Sequence, residues 1–163
     1  MRRRFALFTG AAAAALALGA AAPVSAQAVE NSSGTKPASC FGDSCEGLDP
    51  ITTACTSGAV TRASIVVRGT PGAKEFLVAA RYSASCGTTW TTVTDINQPD
   101  CLYSVEAWHE GVNNATGAKT RTASVFSGDA CSASTTTMSK AGKSTRACAY
   151  STWESLTRCT AWI

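Results

Sequence analysis

Apolar and polar positions alternate in short runs along most of the chain. From Thr61 to Arg68, Ala63, Ile65 and Val67 fall on one side, and Arg62, Ser64 and Arg68 on the other. From Glu75 to Tyr82, Phe76, Val78, Ala80 and Tyr82 share a side opposite Glu75 and Arg81. The alternation is weaker from Lys119 to Phe126, where Ala123 and Val125 share a side. A period of two is the mark of a strand with one buried face. Threonine-rich runs such as Thr88 to Thr94 suit a pleated, half-exposed surface. Turn-forming residues separate the runs at Gly69–Gly72, Asp95–Asp100, Gly111–Gly117, Ser127–Asp129 and Ser139–Ser144. The pattern predicts about eight short strands, at 60–68, 74–83, 88–94, 101–109, 119–126, 133–138, 145–150 and 156–162. Short links between them favour an all-β antiparallel meander folded as a small sandwich or barrel. No internal repeat points to a propeller or solenoid.

The first residues follow another pattern. Met1-Arg2-Arg3-Arg4 is basic, Phe5 to Ala22 is apolar, and Ala26-Gln27-Ala28 is a small-residue cleavage motif. This is the form of a secretory signal peptide at 1–28, and the basic start also admits twin-arginine export. Residues 29–39 are polar and aperiodic, which predicts a flexible lead-in to a single domain at 40–163. Cleavage changes the charge balance. The chain holds 14 Lys+Arg and 11 Asp+Glu, and three arginines leave with the signal, so the mature part is close to neutral. That balance provides no electrostatic drive toward nucleic acid or an anionic membrane surface.

Eight cysteines follow the signal: Cys40, Cys45, Cys55, Cys86, Cys101, Cys131, Cys148 and Cys159. An even count in an exported chain reads as a disulfide framework. The pairing stays open on sequence alone. Cys148 and Cys159 fall near cross-strand register around a Ser151–Ser155 turn, which predicts one bridge. A zinc site is the rival reading. The Cys40-x4-Cys45 spacing is wide for a zinc knuckle, His109 is the chain's one histidine, and close thiols oxidise outside the cell.

Other chemistry is sparse. Asp43, Glu46 and Asp49 recur every third residue and are the candidates for calcium. The competing reading makes Asp49-Pro50 a turn initiator, with Asp43 and Glu46 bonded to nearby backbone N–H groups. His109 and Glu110 adjoin Trp108 at the end of a predicted strand, where neighbours point to opposite faces. That position predicts a surface histidine rather than a general base. Trp90, Trp108, Trp153 and Trp162 could form a stacking platform for sugar rings or peptides; core packing is the competing reading, expected for Trp90, and Trp108, His109 and Trp153 are the candidates for a binding surface.

The opening C-x-G-x-x-C-E-G-x-D-P from Cys40 to Pro50, then Cys55, then R-Y-S-x-x-C-x-x-x-W from Arg81 to Trp90, carry a family signal. Together they resemble the YjfA-like group of secreted proteins of Gram-positive bacteria, mostly actinobacteria, defined as a domain of unknown function (2690). The resemblance is specific over about 40–95 and loose beyond, and Thr91-Thr92 departs from its pattern. It implies a secreted, disulfide-bonded domain and supplies no activity.

The expectation is therefore a secreted, non-catalytic binding or interaction module at or beyond the cell wall. Its partner would be an extracellular protein or a cell-wall glycan, with no cofactor, no nucleic acid and no membrane after signal cleavage. Two alternatives remain. One is an inhibitor of an extracellular hydrolase, presenting Gly111–Gly117 or Lys140–Ser144 as a rigid loop. The other is a small hydrolase using carboxylates or His109, although no G-x-S-x-G elbow is present.

Overall fold

The structure, a computed structural model, describes residues 36–70, 74–97, 105–126, 131–152 and 154–163. The signal segment, Cys101 and Trp153 lie outside the described residues.

The predicted alternation produces two antiparallel sheets. The first contains β1 (Val60–Thr70), β2 (Lys74–Ser83), β3 (Thr88–Asp95), β7 (Ser132–Ser134) and β8 (Met138–Ser139). Its order is β1-β2-β3-β7, with β8 also paired to β3. The second contains β4 (Glu106–Asn113), β5 (Lys119–Arg121), β6 (Val125–Phe126), β9 (Lys143–Ser151) and β10 (Leu156–Cys159). Its order is β10-β9-β4-β5, with β6 also paired to β4. Neither sheet closes on itself, so the fold is a sandwich and not a barrel.

Among the described residues ten strands replace the expected eight, because two predicted strands are each interrupted. Between β5 and β6, Thr122 turns its N–H to the His109 carbonyl and receives the His109 N–H on its hydroxyl. Between β7 and β8, Thr137 donates to the carbonyls of Cys45 and Leu48 and so leaves the ladder to hold the N-terminal segment. β4 is also shifted. It runs to Asn113, through a glycine read from sequence as a turn residue. A Cβ added at Gly111 would lie 2.4 Å from Met138 Sδ, so any larger residue there displaces the Met138 side chain.

The main core fills the space between the sheets. Val67, Phe76, Val78, Ala80 and Val93 face Val105, Ala107, Ala147 and Ala149, with Ala63 and Ile65 at the margin. Large side chains of one sheet thus meet alanines of the other. Complete burial of a Val or Phe side chain contributes roughly 1.5–3 kcal/mol.

A second core lies on the outer face of the first sheet. Trp90, on the opposite side of β3 from Val93, packs with Cys45, Cys55 and Cys86 beneath the segment from Ala38 to Ala59. That segment has few apolar side chains. Covalent bonds hold it: Cys40–Cys45 and Cys55–Cys86. Within the stretch read as a lead-in, Ala38 packs on this cluster and Ser39 N–H donates to the Thr53 carbonyl at 3.1 Å. Cys148–Cys159 joins β9 to β10 as the register predicts. Cys131 is also disulfide-bonded, and no described cysteine is free.

The threonine runs depart from expectation. Thr88, Thr89, Thr91, Thr135, Thr137 and Thr145 are buried rather than half-exposed. Hydroxyl bonds make much of this tolerable: Thr91 Oγ1 donates to the Trp108 carbonyl at 2.8 Å, and Thr135 Oγ1 accepts from the Thr91 N–H at 3.1 Å.

Candidate functional site

Strand alternation sends Ala107 and His109 into the sandwich and Glu106, Trp108 and Glu110 onto the outer face of the second sheet. His109 is fully buried, which corrects the expected surface position. Its ring bridges the sheets: Nδ1 lies 3.0 Å from Thr91 Oγ1, and Nε2 lies 2.9 Å from Thr89 Oγ1. Thr91 already donates its hydroxyl proton to the Trp108 carbonyl, so Nδ1 carries the ring proton and Nε2 accepts from Thr89. Burial, reinforced by the Lys140 charge and only partly opposed by Glu110, lowers its pKa from 6.5 to about 3. The ring is neutral, enclosed and fully hydrogen-bonded. Through Thr91 and Thr89 it ties the two sheets together.

Trp108 is also corrected. It is 5% exposed, its Nε1–H donates to Glu110 Oε1 at 2.8 Å, and the Arg121 guanidinium lies 3.8 Å from its ring centroid. It supports the surface and does not form it.

The surface itself comes from a cross-strand row. The register aligns Arg121 on β5, Glu110 on β4 and Arg146 on β9. Arg146 Nη2 lies 2.8 Å from Glu110 Oε2, and its Nε donates to the same oxygen at 2.9 Å. Burial raises the Glu110 carboxyl, but hydrogen bonds from Trp108 and Arg146 and the charges of Arg146 and Arg121 outweigh it, and the net shift is downward. Glu110 is therefore a fixed carboxylate. Arg121 is held in turn by Glu106 Oε1 at 3.3 Å and by the Ser124 hydroxyl at 2.8 Å.

Trp162 completes the wall. β10 pairs with β9 so that Thr160 N–H reaches the Ala147 carbonyl, whereas Ile163 pairs with Thr145. The pairing slips by one residue between these points. The bulge sets the Trp162 ring 4.3 Å from the Arg146 guanidinium while 43% of the residue stays exposed. Between Trp162, Arg146, Glu110, Arg121 and Thr120 lies a cleft of about 260 Å³.

Glu106 and Glu110 are carboxylates of this face, and each is paired with an arginine: Glu106 with Arg121 and Glu110 with Arg146. Four residues apart on one strand, their Cα atoms are separated by about 13 Å.

The calcium candidates are not brought together. Asp49 Oδ1 accepts from the N–H groups of Ile51 at 2.6 Å and Thr52 at 3.1 Å, as the turn reading expects. Glu46 differs from expectation. Its carboxylate pairs with Lys143 at 3.0 Å and not with nearby backbone. Asp43 is exposed in a turn of 3-10 helix, Gly42–Cys45.

Of the candidates for a binding surface, Trp108 and His109 are buried and Trp153 is outside the described residues. Arg121 and Arg146 carry no signal of a site in the sequence, whereas Trp162 is one of the four tryptophans it offers for a stacking platform. Their positions on strands are readable from sequence. Their juxtaposition depends on strand order, which the sequence does not display.

No curated protein and no solved structure matches this chain. A family model does match, over residues 43–150, and its description is a protein of unknown function (DUF2690). That match spans the bridged N-terminal segment, both sheets and most of the cleft, and the chain belongs to the DUF2690 family.

Proposed function

We propose that the chain is a secreted, non-catalytic binding module of the YjfA-like branch, exported by a Gram-positive bacterium, which holds a cell-wall glycan on the outer face of its second sheet. The observation that carries this reading is the Trp162–Arg146–Glu110–Arg121 row. An exposed indole offers a flat apolar face to a sugar ring, and ion-paired polar groups beside it hold fixed directions for sugar hydroxyls. The cleft, at about 260 Å³, lies below the ~300–1,000 Å³ typical of drug-sized ligands, and so suits one ring of a longer polymer. The enclosed His109 and the arginine-paired carboxylates favour binding over hydrolysis.

Cosedimentation with purified cell wall tests it. The wild-type chain is expected in the pellet, and Trp162→Ala and Arg146→Ala in the supernatant. Wild type remaining in the supernatant sinks the proposal.

One further observation favours an inhibitor as the second reading. The turn after β4 is exposed yet braced: Asn113 Oδ1 accepts from the Ala115 and Thr116 N–H groups, and Asn114 Oδ1 accepts from Ser144. A braced loop has little entropy to lose on docking into a protease. Undiminished activity of every secreted protease of the producing strain, in the presence of the chain, removes that reading.

A further inference from the structure

The Sγ atoms of Cys40, Cys45, Cys55 and Cys86 all lie within 4.8 Å of one another. Two bridges are thus packed sulfur against sulfur, in a cluster where three of the four cysteines are fully buried. A Zn²⁺ ion with Zn–S bonds of about 2.3 Å requires four sulfurs roughly 3.8 Å apart at tetrahedral angles. The backbone already suits such an arrangement. The Cα atoms of the bonded pairs are 5.2 and 5.6 Å apart, so opening each S–S bond requires side-chain rotation and little movement of the chain.

One neighbour fits thiolate ligands better than it fits disulfides. The Trp90 indole packs in the same cluster, and its Nε1–H is buried with no hydrogen-bond partner. Thr53 Oγ1 also lies 3.1 Å from Cys55 Sγ, although its hydroxyl proton goes to the Asp49 carbonyl at 2.8 Å. Thiolate sulfurs accept hydrogen bonds, and such outer contacts tune a metal site.

We propose that these four cysteines form a latent tetrathiolate site, which takes one zinc-class cation when the two bridges are reduced. Each disulfide takes two electrons from a phosphine and two protons from the water whose oxygen leaves in the phosphine oxide, or takes both from a dithiol that leaves as a cyclic disulfide. The four thiols then release four protons as Zn²⁺ binds. The segment from Ala38 to Ala59 thereby keeps a crosslink over Trp90 in either redox state, covalent when oxidised and coordinative when reduced.

The test uses the purified chain, reduced with tris(2-carboxyethyl)phosphine and titrated with Co²⁺ and then Zn²⁺. One equivalent of Co²⁺ is expected to produce thiolate charge-transfer and tetrahedral ligand-field bands, which Zn²⁺ abolishes. In parallel, iodoacetamide labelling is read by peptide mass spectrometry. Zinc is expected to slow alkylation of Cys40, Cys45, Cys55 and Cys86 at least about tenfold, and to leave Cys148 and Cys159 unprotected. The Cys148→Ser/Cys159→Ser variant is expected to keep the cobalt spectrum, and Cys40→Ser/Cys86→Ser to lose it. Absence of the bands, equal labelling of all cysteines with and without zinc, or a spectrum retained by Cys40→Ser/Cys86→Ser each overturns the proposal.

Discussion

Acid is expected to weaken this fold through one residue. His109 titrates near 3 in the folded chain, against 6.5 when unfolded, because burial, with Lys140 adding to it, excludes a charged ring. Between those values the unfolded chain binds a proton that the folded chain does not. Unfolding free energy therefore stands at its full value above pH 6.5 and falls as pH drops from 6.5 toward 3. The slope from one such group is about 1.4 kcal/mol per pH unit, so two units remove about 2.7 kcal/mol. That is a large share of the ~5–15 kcal/mol typical of a domain. The perturbation is His109→Asn, which removes the titration but can still donate to Thr91. Guanidinium unfolding of the oxidised chain, at fixed ionic strength from pH 7.5 to 4.5, provides the comparison. The variant is expected to be less stable at neutral pH, where the bond to Thr89 is lost, and to have the shallower pH profile. Parallel profiles for the two proteins would refute the argument, because the acid sensitivity would then belong to the carboxylates.

Other substitutions separate the roles of the two faces. Trp90→Ala is expected to cost about 3–5 kcal/mol and to expose the Ala38–Ala59 segment to proteolysis, read by limited digestion. Removing bridges singly as Ser pairs should follow loop length, at about 2 kcal/mol for Cys40–Cys45, 3 for Cys148–Cys159 and 4 for Cys55–Cys86, measured as shifts in denaturation midpoint. Arg146→Ala should raise the Glu110 pKa, since it removes both a hydrogen bond and a charge; carboxyl carbon shifts in an NMR titration read this directly. Gly111→Ala should lower thermal stability by forcing Met138 to move, and Met138→Ala in the same chain should restore part of the loss.

The strands were legible where a single face is apolar. β1, β2 and β3 fall within about two residues of the pattern, because Phe76, Val78 and Ala80 alternate with polar neighbours and Gly-Pro turns bound the runs. Legibility failed where polar residues are buried. His109, Thr89 and Thr91 read as surface positions, since a sequence does not reveal that they meet across the sheet gap and satisfy one another. Interruptions at Thr122 and Thr137 were invisible for the same reason: each hydroxyl serves a backbone group far away in sequence. The cleft was illegible as a unit. Arg121, Glu110 and Arg146 become neighbours only because β5, β4 and β9 lie side by side, and Trp162 joins them only through the one-residue slip after Thr160.

The central claim is that the outer face of the second sheet receives a glycan. Its most direct test is a backbone amide NMR titration of the oxidised chain with soluble fragments of cell-wall glycan. The account predicts shifts confined to Glu110–Val112, Lys119–Arg121, Arg146 and the Trp162 indole N–H. Shifts confined to the Cys40–Cys55 segment, or none at saturating glycan, would contradict it.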